Sequence, residues 1–408
     1  MGATTRILGL LATLACAGSA GLAAQVAVRG DVVHTMAGPA IEAGVVLVAE
    51  NGRIERVGAA DEVRIPEGYR VLEAAVVTPG LVDAHSVVGL AGYLNSDADQ
   101  DQLERSEPIQ PELRAFDAYN ATEPLVAWLR GFGITTVHTG HGPGALVSGQ
   151  TMVVKTVGEN VSEALVDSVT MVAMTLGPDV SRNFGSKAGT RAKGVAMLRA
   201  ELVKARHYRD RRARAEDGEG PARDLGLDVL VRVLEGEIPA LITAQAVPEI
   251  QSALRLRDEF GFRLVLDGAA ESHLLLDEIR EAGVPVILHP PMARAGGTLE
   301  NATMETARLL AEAGIPFALQ SGFESYVPKT RVVLFEAGVA AGWGLPFEQA
   351  LAAITRDAAR ILGVDDRVGT LEPGKDGDLA LFDGDPFEYT THVCAVVVRG
   401  RVVSETCR

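Results

Sequence analysis

Eight short runs of β-branched and apolar residues recur between residues 81 and 320, and longer helix-type segments separate most of them. The runs cover 81–86, 134–139, 151–156, 169–174, 240–244, 263–267, 285–289 and 316–320. Strands that alternate with helices indicate a parallel α/β sheet, and an eightfold repeat over about 290 residues is typical of a (β/α)8 TIM-type barrel. An open doubly wound sheet is the alternative. The count and the length favour the barrel, which we place at residues 79–363.

The segments on either side of this region, 25–78 and 364–408, carry a β pattern instead. Short alternating runs are broken by turn residues, and Asn51-Gly52 between two runs is a strong hairpin signal. Neither segment is long enough to close a core by itself. We therefore expect both chain ends to form one split β-sandwich domain beside the barrel.

The first 24 residues are of another kind. Arg6 precedes an apolar run from Ile7 to Leu22, and small residues follow it. This pattern is typical of a secretory signal peptide and predicts a periplasmic or secreted protein without an integral membrane segment once the leader is removed. A buried N-terminal helix is the alternative. The net charge of −16 argues against nucleic acid as a partner, because phosphate binding needs a basic face.

Loss of the leader removes Cys16 and leaves Cys394 and Cys407. Both lie in an apparent C-terminal hairpin that turns at Arg399-Gly400. An oxidising compartment permits a disulfide between them if the last strand bends, and two free thiols are the alternative.

Three motifs together resemble the amidohydrolase superfamily, in its imidazolonepropionase-like branch. Pro79-Gly80-Leu81-Val82-Asp83-Ala84-His85 is similar to the first barrel strand of that superfamily. The helix from Ala353 to Gly363 and the stretch from Leu371 to Ala380 match its later patterns. The resemblance implies a barrel with a split β domain. It also implies hydrolysis of a C–N bond in a small amide, a cyclic amide or a short peptide, with a divalent metal at the barrel mouth.

Most of the metal ligands that this resemblance implies are absent. Val87 stands where the second histidine of strand 1 belongs, and Gly268 stands at the histidine position of strand 6. The strand-5 histidine would fall near Thr243 and Gln245, and the aspartate of strand 8 near Ser321 and Gly322. Substitutions at four separate strand ends indicate that the usual ligand set is lost.

Other candidate groups follow the same strands. We expect a single divalent ion, zinc by its preference for imidazole, to be held by a set drawn from His85, His138, His141, Lys155 and His289. Asp267 is the candidate acid or base. His138 and His141 could instead make structural hydrogen bonds, and Lys155 could form a structural ion pair with Asp83 or Asp267.

Three functions stay open from the sequence. The first is an exported amidohydrolase with an atypical metal site, and the second is a barrel that has lost catalysis and serves as a binding or accessory protein. The third is a metal-free hydrolase that uses Asp267 and histidines as acid and base. A homo-oligomer is possible in each case. No Gly-x-Ser-x-Gly motif occurs in the sequence, which argues against a serine hydrolase of that type.

Overall fold

The structure is a computed structural model that describes residues 25–94, 96–215, 220–292, 296–323 and 331–407. The predicted leader lies outside these residues. The strands are β1 Val26–Val33, β2 Ile41–Val48, β3 Ile54–Ala59, β4 Arg70–Pro79, β5 Leu81–Ser86, β6 Ile134–Thr139, β7 Val147–Gln150, β8 Met152–Lys155, β9 Leu165–Asp167, β10 Val172–Thr175, β11 Ala240–Ala244, β12 Leu264–Gly268, β13 Val286–Leu288, β14 Phe317–Leu319, β15 Leu379–Phe382, β16 Val393–Val398 and β17 Arg401–Ser404.

Helices follow most strands of the central region. They are α1 Ala115–Ala118, α2 Pro124–Arg130, α3 Val161–Ala164, α4 Pro178–Phe184, α5 Arg191–Arg214, α6 Leu225–Leu234, α7 Val247–Phe260, α8 Leu276–Ala282, α9 Thr306–Glu312, α10 Val333–Gly342, α11 Phe347–Ala353 and α12 Arg356–Leu362. Within the described ranges, no helix is both long enough and apolar enough to cross a bilayer.

Both chain ends contribute to one seven-stranded sheet, in the order β17-β16-β15-β4-β1-β2-β3. β15 joins the N-terminal strands through antiparallel pairing with β4. Gly52 has φ 77° in the turn between β2 and β3, which is why glycine follows Asn51 there. The joining of the two ends agrees with the sequence pattern, but they form a single sheet, and a sandwich is not confirmed. The domain boundaries stay a prediction.

The central region forms a barrel-like α/β unit from two sheets. Five consecutive strands, β10 to β14, are parallel neighbours, and β5 pairs in parallel with β6. A parallel bridge between Ser86 and Gly322 brings the β5 end to the β14 end. The carboxyl ends of these parallel strands therefore share one edge, where α/β barrels carry their sites.

One part of this region runs against the expected direction. β8 pairs antiparallel with β6, and β7 pairs antiparallel with β10. Lys155, opposite Thr136, therefore lies at the amino-terminal edge of β6, away from the edge that carries His85. There its ammonium group contacts Asp378, and it lies 3.3 Å from Asp376. The prediction that Lys155 joins the barrel mouth is wrong, because it assumed that the third strand was parallel.

The barrel interior is layered. One buried apolar cluster in the interior of this barrel-like unit draws on six strands: Val82, Val153, Leu241, Val265, Ile287 and Ala318. Two residues further along their strands lie Thr243, Asp267, His289 and Gln320, which form a polar layer at the carboxyl edge. The apolar layer separates this polar layer from Lys155.

Cys394 on β16 and Cys407 after β17 are joined by a disulfide. The bridge links the two ends of the C-terminal hairpin, and its cysteines are 13 residues apart in sequence. The predicted disulfide is thus present, and the alternative of two free thiols is removed.

Replacement of Lys155 by methionine should be strongly destabilising. The side chain is fully buried between the barrel and the end-formed sheet, so its loss leaves the Asp376 and Asp378 carboxylates without their buried cation. We expect a loss of about 3–5 kcal/mol in the free energy of unfolding, measured by urea denaturation.

The control is Lys187→Met, which removes the half-exposed pair with Glu107 and should cost about 0–1 kcal/mol. A Lys155→Met loss no larger than that of the control would contradict the structural role.

Candidate active site

His85 and Asp267 form the centre of the polar layer. His85 Nδ1–H donates to Asp267 Oδ1 at 2.9 Å. The same carboxylate accepts from Gln320 Nε2 at 2.7 Å and, on its other oxygen, from the Thr243 hydroxyl at 2.5 Å. All four side chains are buried. Three donors from three strands therefore fix the Asp267 carboxylate, which in turn fixes the plane of the His85 ring.

His85 and Asp267 each shift the pKa of the other. Burial alone would raise the pKa of Asp267, but the charge and hydrogen bond of His85, with those of Thr243 and Gln320, bring that pKa below its usual value. Burial would likewise lower the pKa of His85, yet the Asp267 carboxylate raises it above its usual range. Each group therefore favours the charged form of the other.

The opposite nitrogen of this imidazole is in a different state. His85 Nε2 is buried and makes no hydrogen bond to any described residue. An imidazole with one nitrogen fixed by a carboxylate and the other without a hydrogen bond can transfer a proton or bind a ligand when one reaches it. Which of the two is possible depends on the neighbouring groups.

Asp83 is a further titratable group beside His85. Its Oδ1 accepts from the Ser321 backbone N–H at 2.9 Å. Burial raises the pKa of Asp83 to about 7, although the hydrogen bonds of Ser321 and His85 and the His85 charge oppose the shift. The strand-1 motif identified its position but not its perturbed carboxyl group, because burial at a strand end is not visible in the sequence.

His138 is occupied on both sides of its ring. Nδ1–H donates to the Ala84 carbonyl at 2.7 Å, and Nε2 accepts from the Thr151 hydroxyl at 2.6 Å. Burial, with the His85 charge, lowers the pKa of His138 to about 3. The ring is neutral and lies 5.4 Å from the His85 ring, centroid to centroid. Its hydrogen bonds correspond to the structural alternative, and neither nitrogen is open to a metal.

His141 and His289 lie elsewhere around the mouth. Burial lowers the pKa of His141 to about 4, and its ring packs against Gly149 of β7. His289 follows β13, where its backbone N–H donates to the Gly268 carbonyl at 3.0 Å. Its ring packs against Gly322. Neither joins His85 and Asp267 in a cluster of ligand geometry.

At two strand ends, a neighbouring side chain occupies the space beside a glycine. Gly268 and Gly322 have φ 74° and φ 65°, in the region that favours glycine. A Cβ at position 268 would lie 2.8 Å from Cδ of Gln245, and one at position 322 would lie 2.6 Å from Cδ2 of His289. The space of two side chains that the family resemblance implies is therefore taken by Gln245 and His289.

The described residues do not fit a divalent metal. In the ranges that the structure covers, no three His, Cys, Asp or Glu side chains come together as a possible ligand set. Of the five predicted ligands, Lys155 is at the opposite edge and His138 is fully hydrogen-bonded. A zinc site needs three or four such donors. The expected set is thus not brought together, and no chemical step is derived through a metal.

Gln320 is the site residue that the sequence analysis missed. The family resemblance places an aspartate near Ser321 and Gly322, just beyond Gln320 on the same strand end. The period-two alternation gives the signal that could have found it, since Ala318 faces the barrel interior and Gln320 is the next residue on that face. Thr243 was noted only as a substitution, and its hydroxyl is in fact a partner of Asp267.

A comparison with protein families matches residues 88–404 to the model described as Amidohydrolase family. The chain belongs to the amidohydrolase family. Two relatives agree. Amidohydrolase tasK of Hapsidospora irregularis is 23% identical over 355 residues, which cover 79% of this chain and 36% of that protein. An imidazolonepropionase of Syntrophobacter fumaroxidans is 34% identical over 126 residues, 29% of each chain. The matches span about a third of these relatives' length.

The solved structure of an amidohydrolase from Thermotoga maritima MSB8 is similar to this chain over nearly its whole length. It has a TM-score of 0.87 and 28% identity, and the match covers 93% of this chain and 100% of that one. This confirms the resemblance seen in the three motifs and the barrel-like α/β fold.

Asp267→Asn should lower stability in a pH-dependent way. The raised pKa of His85 contributes stability below about 6.5, lost as pH rises through the folded pKa. The lowered pKa of Asp267 contributes stability above about 4, lost as pH falls through its folded value. The difference between wild type and variant should therefore peak between about pH 4 and 6.5.

Urea unfolding from pH 3 to 9 would measure this difference. A constant difference across that range would contradict the ion pair.

Proposed function

We propose that this chain hydrolyses a C–N bond in a small amide, a cyclic amide or a short peptide, with His85 as the proton-exchanging group. The observation that carries the proposal is the His85–Asp267 pair at the carboxyl edge, with a buried His85 Nε2 that has no hydrogen bond to a described residue. Membership of the amidohydrolase family supports the reaction class. The relatives, an amidohydrolase and an imidazolonepropionase, support an amide or cyclic amide as the substrate class.

The proposed chemistry is general acid–base catalysis. In its neutral form, His85 Nε2 takes a proton from water as the water oxygen bonds to the carbonyl carbon. The resulting imidazolium then gives that proton to the leaving nitrogen as the C–N bond breaks. Asp267 is a positioning residue in this scheme, because three hydrogen bonds and a low pKa keep it ionised. This modifies the expectation that Asp267 is itself the acid or base.

Members of the amidohydrolase family generally use divalent metals. The donor set described here does not support a resident zinc ion. No proposed step therefore involves a metal, and a chelator in the activity assay tests whether hydrolysis depends on a bound metal ion.

The second candidate is a binding or accessory protein without catalysis. The filled space beside Gly268 and Gly322 and the fully bonded His138 favour it, since they leave no metal-ligand set among the described residues. The two candidates differ in turnover, because a binding protein would retain an amide without converting it.

We also propose that the protein is exported. The leader-type pattern of residues 1–24 and the Cys394–Cys407 bridge support an oxidising compartment. Recovery of the chain only in the cytoplasm of the producing cell, with both thiols reduced, would reject this.

The test of catalysis is a rate profile against pH with succinimide, pyrrolidinone and dipeptides. We expect kcat/KM to rise as His85 loses its proton, with the midpoint above about 6.5, because Asp267 raises the pKa of His85. Asp267→Asn should lower the rate by roughly 100-fold or more and move that midpoint to lower pH.

The control is Asp117→Asn, which alters a half-exposed pair with Arg114 far from this carboxylate. Dialysis against EDTA should leave the rate unchanged. Activity that EDTA abolishes and zinc restores would overturn the metal-free scheme, and tight binding of an amide without turnover would favour the second candidate.

A further inference from the structure

Gln245 is the polar residue that lies above the buried layer. It follows the end of β11, two residues beyond Thr243, and its side chain reaches the segment after β12, where it contacts the Ala270 backbone. Its carboxamide covers Gly268, the residue after Asp267. Thr243, Asp267 and Gln320 are buried, whereas Gln245 is half-buried.

The orientation of this carboxamide is fixed by its oxygen. Gln245 Oε1 accepts from the Ala270 backbone N–H at 3.1 Å, and a backbone N–H can be accepted only by the oxygen of an amide. Nε2 is then the end of the amide that adjoins Gly268. The amide atom nearest to Gly268 is therefore a hydrogen-bond donor.

The backbone of Gln245 is also held. Its N–H donates to the buried Glu249 carboxylate at 3.1 Å, and its carbonyl accepts from the Glu271 N–H at 2.9 Å. The neighbouring Ala246 N–H donates to the same Glu249 oxygen at 3.1 Å. A donor whose backbone and oxygen are both fixed costs little reorganisation when it binds a ligand.

Gly268 makes this placement possible. Its φ of 74° and the close approach of the Gln245 carboxamide both exclude a side chain. The glycine thus has a specific consequence, because it admits an amide donor at the strand end that carries Asp267, where a larger residue would displace it.

We propose that Gln245 Nε2 donates a hydrogen bond to the carbonyl oxygen of the substrate and holds that carbonyl beside His85. This inference rests on the proposed function, which it deepens by naming the group that recognises the amide. When water adds to the carbonyl carbon, the oxygen gains negative charge, and the same N–H stabilises it. The Gln245 proton stays on its nitrogen. Water supplies the oxygen of the acid product, and its proton leaves on the amine.

The test uses succinimide as the probe and nuclear magnetic resonance of ¹⁵N-labelled full-length protein as the readout. We expect the side-chain NH2 signal of Gln245, assigned by its absence in Gln245→Met, to shift on titration with succinimide. Gln245→Met keeps a similar volume without the donor and should weaken binding by roughly tenfold. If the activity is present, it should also lower kcat by roughly 100-fold.

Gln251→Met is the matched control, because Gln251 is a half-buried glutamine on α7 outside the site, and it should bind succinimide as the wild type does. Gly268→Ala is a second variant. It keeps the glutamine but displaces its amide, and it should weaken binding as Gln245→Met does.

Unchanged succinimide affinity in Gln245→Met, or no binding by the wild type, would overturn the proposal. Binding that depends on Gln245 without any hydrolysis would reject the proposed catalysis and retain Gln245 as the recognition group.

Discussion

The buried pairing of His85 with Asp267 is the interaction around which the barrel mouth is organised. Two charges removed from water cost several kcal/mol each unless they are paired and hydrogen-bonded. Here Thr243, Gln320 and His85 occupy the carboxylate oxygens together. These donors come from β11, the end of β14 and β5, so the ion pair also fixes how the strand ends face one another. An apolar layer directly beneath keeps water from the pair.

The same arrangement explains how the site differs from the one that the family resemblance implies. Strand ends that should carry metal-ligating side chains are glycines in left-handed conformations, and Gln245 and His289 occupy the space beside them. A single reversion at Gly268 or Gly322 would meet a neighbouring side chain and a backbone conformation that disfavours it. The site therefore differs from the one that the family resemblance implies in its backbone conformation as well as in its side chains.

The sequence predicted much of the fold because its signals are local. Alternation of strand and helix patterns identified the barrel region, the Asn51-Gly52 pair identified a hairpin, and the spacing of Cys394 and Cys407 made their bridge reachable. His85 and Asp267 were identified because both end strands at one edge. Lys155 was misplaced because β8 runs antiparallel to β6, as β7 does to β10. Strand direction depends on pairing between distant segments, which no local sequence pattern encodes. Gln320 was not predicted because the family pattern points to the residues after it, whereas the period-two alternation of its own strand places it on the inward face.

The central claim is that Asp267 holds His85 in a charged pair whose Nε2 is open for proton exchange. The most direct measurement is an NMR titration of ¹⁵N-labelled histidine in the wild type and in Asp267→Asn. The account predicts that the pKa of His85 lies above about 6.5 in the wild type and falls in the variant, because burial then acts without the carboxylate. A His85 pKa at or below that value in the wild type, or one that Asp267→Asn leaves unchanged, would contradict it.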